Sequence, residues 1–585
     1  MFDSVLVANR GEIAVRVIRA CHDLGLRAVA VYSDADRESR HVALADAAVR
    51  IGEASPADSY LNIERILGAA RESGAGAVHP GYGFLSENAG LARAVTDAGL
   101  TFIGPPATAI EVMGDKVAAR RAAVEAGVPV VPGSDGALAD AEAAVAFARQ
   151  HGFPLALKAL HGGGGRGMRI VRAPGELPVA FEAAVREATL AFGRGDCYAE
   201  RYLERPRHIE VQILADHRGT VLALGDRDCS VQRRHQKLIE EAPAPGLDPA
   251  VRRAIADAAV RLARHVGYTN AGTCEFLLDT DGRTFYFLEM NTRLQVEHPV
   301  TEQVTGIDLV TEQIRVAGGM PLGRVQRDVT VTGHAVEVRI NAEDPAESFA
   351  PRSGKVHALT PPLGPWVRFD TGLEAGQEIS PYYDSLIGKL VTWGANRDQA
   401  LHRMARALDE FQLAGPATTL PFHRLALAHP QFVRAEHSTV SVESEWDLSD
   451  LEPAETGDVT VQPEAAPRRD VRLPLGDRVF TITITGTAHD AARASSARRR
   501  QSGATATRTD RPAAETPELR SPIQGVVSRL DAKDGDEVRP GDPICVVEAM
   551  KMENVVVAHR SGRLTLTRKA GEGVEHRAVL AVIEP

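Results

Sequence analysis

Three stretches of the chain hold side chains whose types and spacing could do chemistry. In the first, Thr273-Cys274-Glu275-Phe276-Leu277-Leu278 runs to an Asp281-Gly282 turn and returns as Phe285-Tyr286-Phe287-Leu288-Glu289-Met290-Asn291. A hairpin folded near Gly282 sets Glu275 about opposite Glu289, and period-two alternation puts Asn291 on the same face. Two carboxylates and an amide oxygen together make a hard-oxygen site suited to Mg²⁺ and nucleotide phosphates. The same spacing also fits the charged outer face of an ordinary hairpin. The chain continues Thr292-Arg293-Leu294-Gln295-Val296-Glu297-His298-Pro299. If extended, it points Arg293, Gln295 and Glu297 the same way. A guanidinium, an amide and a carboxylate so placed can bind a small planar oxyanion and deprotonate it. Arg339, in the alternating run Ala335-Val336-Glu337-Val338-Arg339-Ile340-Asn341, falls on a polar face, where by itself it is a surface salt-bridge residue.

The second stretch, 155–171, reads as two strands joined by Gly162-Gly163-Gly164-Gly165-Arg166-Gly167. Without Cβ atoms, backbone N–H groups can close on phosphate oxygens. Lys158 entering the loop and Lys116 upstream supply charge for them. No Lys-Ser/Thr follows the glycines, so this is not a Walker loop, and a flexible surface hairpin fits the composition equally well. The third stretch lies in the tail, where Gly525-Val526-Val527, Gly535-Asp536-Glu537-Val538 and an apolar strand ending at Val547 are echoed by Gly562-Arg563-Leu564, Gly571-Glu572-Gly573-Val574 and a strand ending at Ile583. Two similar β halves imply a small sandwich with pseudo-twofold symmetry. Lys551, in Glu548-Ala549-Met550-Lys551-Met552-Glu553-Asn554 between the halves, is expected at an exposed hairpin turn.

The elements that must position these groups are legible in outline. Val5-Leu6-Val7-Ala8, a helical stretch to about Leu24 and Ala28-Val29-Ala30-Val31-Tyr32 alternate strand and helix, which implies a parallel sheet. The dinucleotide fingerprint GxGxxG is absent there. A further strand, Ala77-Val78, runs into the turn His79-Pro80-Gly81-Tyr82-Gly83-Phe84, at the sheet end where open α/β folds place ligands. Strands dominate 204–445, and strand-like alternation recurs at 471–473 and 479–484. The composition then shifts to Ala, Arg, Ser, Thr and Pro at 491–516, a flexible tether in which Arg498-Arg499-Arg500 is solvated.

Composition narrows the function classes. The 585 residues are 44% hydrophobic and 25% charged with a net charge of −11, ordinary for soluble protein and unlike a binder of nucleic acid or anionic membrane. No apolar run is long enough to span a bilayer. The amino terminus lacks the features of a signal peptide, and the five cysteines form no CxxC pair, so a cytoplasmic location is expected.

Two resemblances unite these pieces. Ala549-Met550-Lys551-Met552 at the midpoint of the repeat resembles the biotinyl/lipoyl carrier family, the flanking methionines favouring biotin over lipoate. Residues 1 to about 445 resemble biotin carboxylase, of the ATP-grasp family. The resemblance rests on Ala8-Asn9-Arg10-Gly11-Glu12-Ile13-Ala14, on His79-Pro80-Gly81-Tyr82-Gly83-Phe84-Leu85-Ser86-Glu87-Asn88, on Arg227-Asp228-Cys229-Ser230-Val231-Gln232-Arg233-Arg234-His235-Gln236-Lys237, and on 289–299. The implied fold is a multidomain α/β and α+β chain. A Rossmann-like domain (1–112) precedes an ATP-grasp domain (113–330) with a lid at about 130–203 and a β-rich C-terminal domain (331–445). A small β segment (446–490), the tether (491–516) and an all-β biotinyl sandwich (517–585) complete it.

The resemblance also implies roles. Lys116, Lys158, Gly164 and Gly165 hold ATP phosphates. Glu200, Tyr202 and Leu203 line the adenine pocket, and His208 and His235 also bind nucleotide. Glu275, Glu289 and Asn291 hold Mg²⁺, for which Mn²⁺ could substitute. Lys237, Arg293, Gln295 and Val296 hold bicarbonate, Glu297 deprotonates it, and Arg339 stabilises the enolate-like oxygen of biotin. Tyr82 and Asp384 are pocket or support residues. The product is carboxybiotin on Lys551, formed through carboxyphosphate. Leu160-His161, where relatives often carry small residues, departs mildly from the pattern near the lid.

The arrangement resembles α subunits of acyl-CoA carboxylases. That implies a biotin protein ligase, a separate carboxyltransferase β subunit through which alone acyl-CoA is met, and a homo-oligomer or α/β hetero-oligomer. The segment 446–490 is a candidate contact for that partner. Another bicarbonate-using ATP-grasp ligase would have no use for Lys551. A pure carrier with a decayed ATP site would not retain every ligand type. A pyruvate- or urea-type carboxylase is disfavoured on the expectation that its transferase is fused to the same chain.

Overall fold

A computed structural model of the protein describes residues 2–134, 136–159, 168–192, 195–453, 468–475, 478–485, 516–523, 525–549, 552–574 and 577–584. Gly164, Gly165, the Leu160-His161 pair, Lys551 and tether residues 491–515 lie outside the described residues. The chain divides into two compact units.

The first unit opens with the parallel sheet read from the sequence. Its strands lie in the order Ala47–Gly52, Arg27–Ser33, Ser4–Val7, Ala77–His79, Thr101–Phe102, every pairing parallel. The chain order reverses between Ser4–Val7 and Ala77–His79, and ligands favour such switch points. Both connecting loops leave the sheet there. Asn9 ties them together, its Nδ2 donating to the carbonyls of Pro80 and Tyr82 at 2.7 Å each. Gly81 (φ +64°) is required at this seam, because a Cβ would meet Asn9 Nδ2 at 2.8 Å.

Next comes a three-stranded antiparallel sheet, Met168–Val171, Leu155–Ala159 and Cys197–Arg201. Helices Ala141–His151 and Leu177–Phe192 belong to the same body. Phe147, Leu155, Leu157, Val171, Leu177 and Phe181 give it a core of its own. Burial of each such side chain is worth about 1.5–3 kcal/mol, which lets this piece hold together as a lid.

The largest element described is one eight-stranded antiparallel sheet. Its order is Phe285–Asn291, Asn270–Leu278, Arg207–Ala215, Val221–Arg233, Gln236–Ala242, His334–Asn341, Leu386–Gly394, Val367–Thr371. Strand Arg207–Ala215 shows how it works. Ile209, Val211 and Ile213 pack into an apolar core with helix Pro249–His265, while the alternate residues His208, Glu210 and Gln212 are buried on the opposite, polar face. The sheet runs without a break from strands at 207–291 into strands at 334–394, because Gln236–Ala242 pairs with His334–Asn341. A second core around Met404, Phe422, Phe432 and Trp446 backs its far end.

The second unit contains a hairpin of Arg468–Leu475 with Arg478–Thr485, where the sequence alternates, and most of two four-stranded sheets. One holds Glu518–Arg520, Val579–Glu584, Gly562–Leu566 and Glu537–Val538; the other holds Met552–Val557, Pro543–Ala549, Gly525–Leu530 and Gly573–Val574. The short strand of each sequence half thus lies in the sheet of the other half's first strand, as the pseudo-twofold requires. Val527, Ile544, Val547, Leu564 and Ile583 fill the core.

Candidate functional site

A cleft of about 1270 Å³ lies in the first unit, bounded by the switch-point loops, the lid and the polar face of the large sheet. Lys116, Lys158, Glu200, Tyr202, Leu203, His208, His235, Lys237, Glu275, Glu289, Asn291, Arg293, Gln295, Val296 and Arg339 all line it, as do Tyr82 and Asp384. Glu297 is fully buried just behind the wall.

Lys237 lines the cleft. Its Nζ donates to Glu210 at 2.6 Å, Glu275 at 2.8 Å and Glu297 at 2.7 Å. Three carboxylates outweigh the cost of burial and push the ammonium well above its ordinary range. Glu297 is held from two sides, by Lys237 and by Arg339 Nη2 at 2.8 Å. Burial and Glu210 push its carboxyl up, but Lys237, Arg339 and Arg227 outweigh them, so it lies below the ordinary value and is ionised at neutral pH. Arg339 Nε donates to the buried Glu240 at 2.6 Å. Arg339 is therefore no surface salt-bridge residue: neighbouring strands wrap its polar face into the cleft.

The hairpin register is as expected, with Glu275 opposite Glu289 and Asn291 opposite Thr273. The route differs. From Leu278↔Phe285 to Phe276↔Phe287 the register is one residue short, and a bulge at Leu288 restores it. Beyond Asn291 the expectation of an extended strand is overturned. Residues 292–297 turn into helix His298–Thr305, with Glu297 at its N-cap position. Hydrogen bonds rather than strand alternation make the three residues converge. Arg293 donates to Asn291 Oδ1 at 2.8 Å and to Gln295 Oε1 at 3.0 Å, Gln295 donates to Glu275 at 3.0 Å, and Lys237 links Glu275 to Glu297.

The expected cation ligands fit a hard divalent ion. Asn291 donates to Glu275 at 2.9 Å. Glu289 has no hydrogen-bond or ion-pair partner among the described residues, and burial together with the Glu275 charge pushes its carboxyl up. Two carboxylates in mutual repulsion are what a divalent cation relieves. Two other clusters have metal-like spacing, His208/Glu210/Glu275 and Glu210/Cys229/Glu297, but Lys237 already serves the carboxylates of both.

Toward the lid, Lys158 is ion-paired with Glu200, and Leu203 packs with Val131 and Tyr286 into an apolar patch. Lys116 opens helix Lys116–Glu125 and lines the cleft with Val117. His208 lies 2.9 Å from Glu275, which raises its pKa against the opposing effect of burial. His235 sits with Arg234 in the two-residue turn between Val221–Arg233 and Gln236–Ala242, both left-handed (φ 64° and 47°). Tyr82 donates to Glu12, Asp384 accepts from the Leu386 amide at 3.0 Å, and the Val296 carbonyl accepts from Lys389 at 2.8 Å.

Several supporting residues were not singled out from the sequence. Glu210 is anchored by Arg227, a fully buried guanidinium that also reaches Gln212, Thr273 and Thr301; Arg227 and Lys237 hold Glu210 down at about 2 against its burial. Glu87, from the switch-point loop, accepts from Arg293 Nε at 3.0 Å. The alternation His208, Glu210, Gln212 within an apolar strand was a visible signal for Glu210. Glu87, Glu240 and Lys389 are joined to the site only by the fold.

Comparisons with known proteins agree with this geometry. Residues 1–110 match the family described as "Biotin carboxylase, N-terminal domain", 115–325 "Carbamoyl-phosphate synthase L chain, ATP binding domain", 337–444 "Biotin carboxylase C-terminal domain" and 517–583 "Biotin-requiring enzyme". The biotin-dependent acyl-coenzyme A carboxylase alpha3 subunit of Mycobacterium leprae is 46% identical across 99% of this chain and 98% of its own length. A pyruvate carboxylase subunit of Methanothermobacter thermautotrophicus is 51% identical across 75% of this chain and 89% of its own. Among solved structures, the biotin carboxylase domain of Hydrogenobacter thermophilus 2-oxoglutarate carboxylase, in complex with MgADP, ADP and bicarbonate, has a TM-score of 0.70 at 49% identity, over 76% of this chain and 97% of that one. The chain belongs to the biotin carboxylase family, whose ATP- and bicarbonate-dependent carboxylation of biotin it carries, joined to a biotinyl domain on the same polypeptide. Among the described residues no helix is long and apolar enough to cross a membrane.

Proposed function

We propose that the chain is the biotin-charging α subunit of an acyl-CoA carboxylase, acting in the cytoplasm beside a separate carboxyltransferase β subunit. The observation that carries the chemistry is Glu297, an ionised, water-shielded carboxylate held between Lys237 and Arg339. Bicarbonate is a poor electrophile until phosphorylated, and phosphorylation needs it deprotonated and held in line. Lys237, Arg293, Gln295 and the Val296 backbone bind it, Glu297 takes its proton, and Arg339 faces the oxygen of biotin that gains charge. Lys116, Lys158, Gly164 and Gly165 hold the ATP phosphates, Glu200, Tyr202 and Leu203 the adenine, and His208 and His235 complete the nucleotide site. Mg²⁺ held by Glu275, Glu289 and Asn291, or Mn²⁺ in its place, would neutralise charge on the phosphoryl group. The lid excludes water, which protects the activated species from hydrolysis.

Biotin is attached to Lys551 by a biotin protein ligase. The full-length match to the α chain of an acyl-CoA carboxylase supports acyl-CoA as the final acceptor, reached through the partner. A keto-acid acceptor is the second reading. The Methanothermobacter relative favours it, since that pyruvate carboxylase chain is hardly longer than the matching stretch and a fused transferase is therefore not a condition of pyruvate-type enzymes. The intact mass of the chain, after incubation with biotin ligase, ATP and biotin beside a Lys551→Ala control, tests the carrier. One added biotin, absent from the control, is expected; no addition by a ligase active on another carrier refutes the assignment. Carboxyl transfer from the charged chain to acyl-CoA or to pyruvate, with each candidate transferase added, then decides the acceptor.

A further inference from the structure

Behind Arg339 the large sheet carries a carboxyl for which the proposed reaction has no use. Glu337 lies two residues before Arg339 on strand His334–Asn341 and so shares its face. Glu240 sits directly opposite Glu337 on one neighbouring strand, and Lys389 directly opposite Arg339 on the other. Glu337 is fully buried, and neither of its carboxylate oxygens has a hydrogen-bond partner among the described residues. Glu240 is equally buried. Its Oε1 accepts from Arg339, and its Oε2 has no partner among the described residues. Lys389 is committed elsewhere, to the Val296 carbonyl at 2.8 Å and to Glu12 at 3.0 Å.

An ionised carboxylate sealed from water without a hydrogen bond is costly, and such a group neutralises instead. Burial pushes the Glu337 carboxyl well above its ordinary range against the pull of Lys389, and Glu240 adds to the rise. Burial also lifts Glu240, to about 7, although Arg339 opposes it. The charged groups facing the pair are Arg339, Glu297, Lys237 and Lys389. Two buried carboxyls face to face hold one proton readily and lose it reluctantly. The Arg339 contact keeps the charge on Glu240.

We infer that Glu337 is a positioning residue that works as a neutral carboxylic acid, so that Arg339 divides its charge between Glu240 and Glu297 alone. This rests on the reading of Arg339 as the group facing the biotin oxygen. A third carboxylate charge beside Arg339 would over-neutralise the guanidinium where an anion must develop, so biotin turnover falls once Glu337 ionises.

The test compares the full-length wild type with Glu337→Gln across about pH 6 to about pH 9.5, using free biotin, ATP and bicarbonate, with a thermal melt at each pH. The amide keeps the shape and cannot ionise. The alkaline limb of kcat/KM for biotin is expected to move up by about one pH unit or more, with KM for ATP unmoved. A carboxyl whose folded pKa is raised costs stability increasingly as pH rises from its unfolded value to its folded one. The melting advantage of E337Q should therefore already be present near pH 6 and grow further with pH. If E337Q fails to fold, or melts below wild type, Glu337 is an ionised partner of Lys389 and the inference is wrong. An unmoved alkaline limb overturns it too, because Glu337 then does not act through Arg339. A wild-type chain that does not carboxylate biotin defeats the underlying functional reading instead, while the melts still decide whether Glu337 is neutral.

Discussion

Replacing Glu297 by Gln removes a base and keeps the shape of the side chain. The side chain is fully buried, with one oxygen 2.7 Å from Lys237 Nζ and the other 2.8 Å from Arg339 Nη2. Gln is isosteric and its carbonyl can still accept from one of the two cations, but its NH₂ must then face the other. One hydrogen bond is lost and two donors meet, worth about 1–3 kcal/mol of stability, which a chain with this much core survives. The catalytic loss is larger. Removal of a positioned general base costs about 10²–10⁴ in rate, or about 2.7–5.4 kcal/mol of barrier. Loss of one negative charge leaves Lys237 and Arg339 less neutralised, so bicarbonate should bind as well or better. Lys116 and Lys158 have no contact with Glu297, so KM for ATP should stay within about threefold. The assay is bicarbonate-dependent ADP release with free biotin, read against a thermal melt. A variant that keeps kcat within about tenfold of wild type, with its fold intact, would show that another group takes the proton.

Glu289→Gln should raise the Mg²⁺ concentration needed for half-maximal turnover by about tenfold or more, since one of two carboxylates in a hard-oxygen site is lost; titration of activity against free Mg²⁺ checks it, and an unchanged curve would move the ion elsewhere. Arg397 bonds Glu241 at 2.7 and 2.9 Å and also the Phe432 carbonyl at 2.8 Å, so Arg397→Met leaves the buried Glu241 carboxylate to His334 alone and should cost about 3 kcal/mol, visible as a lower denaturation midpoint. In acid, Glu210 and Glu241, both held down at about 2, stabilise the fold above the ordinary carboxylate range and lose that contribution as pH falls through it. Each contributes up to about 3 kcal/mol, so the melting temperature should fall steeply below about pH 4.5, and a flat profile there would show that these carboxylates are not specially stabilised.

Much of this was legible in the chain itself. The parallel sheet, the Glu275–Glu289 pairing and the repeated halves of the carrier follow from period-two and strand–helix patterns, because backbone geometry fixes which side chains share a face. Chemical types were equally plain: a glycine run, paired acids, and an Arg, Gln and Glu in sequence. Their assembly was not legible. Lys237 gathers carboxylates 27, 38 and 60 residues away, and Arg293 is oriented by Glu87 from 206 residues away. The turn of 292–297 into a helix cannot be read from alternation, and neither can the bulge at Leu288, which restores a register one residue short. Arg339 read alone as a surface residue becomes a site residue only because neighbouring strands bury its face. Local pattern is set by covalent geometry and so is written in the sequence. The charges of the cleft depend on desolvation and on neighbours brought close by folding, and these only the tertiary structure decides.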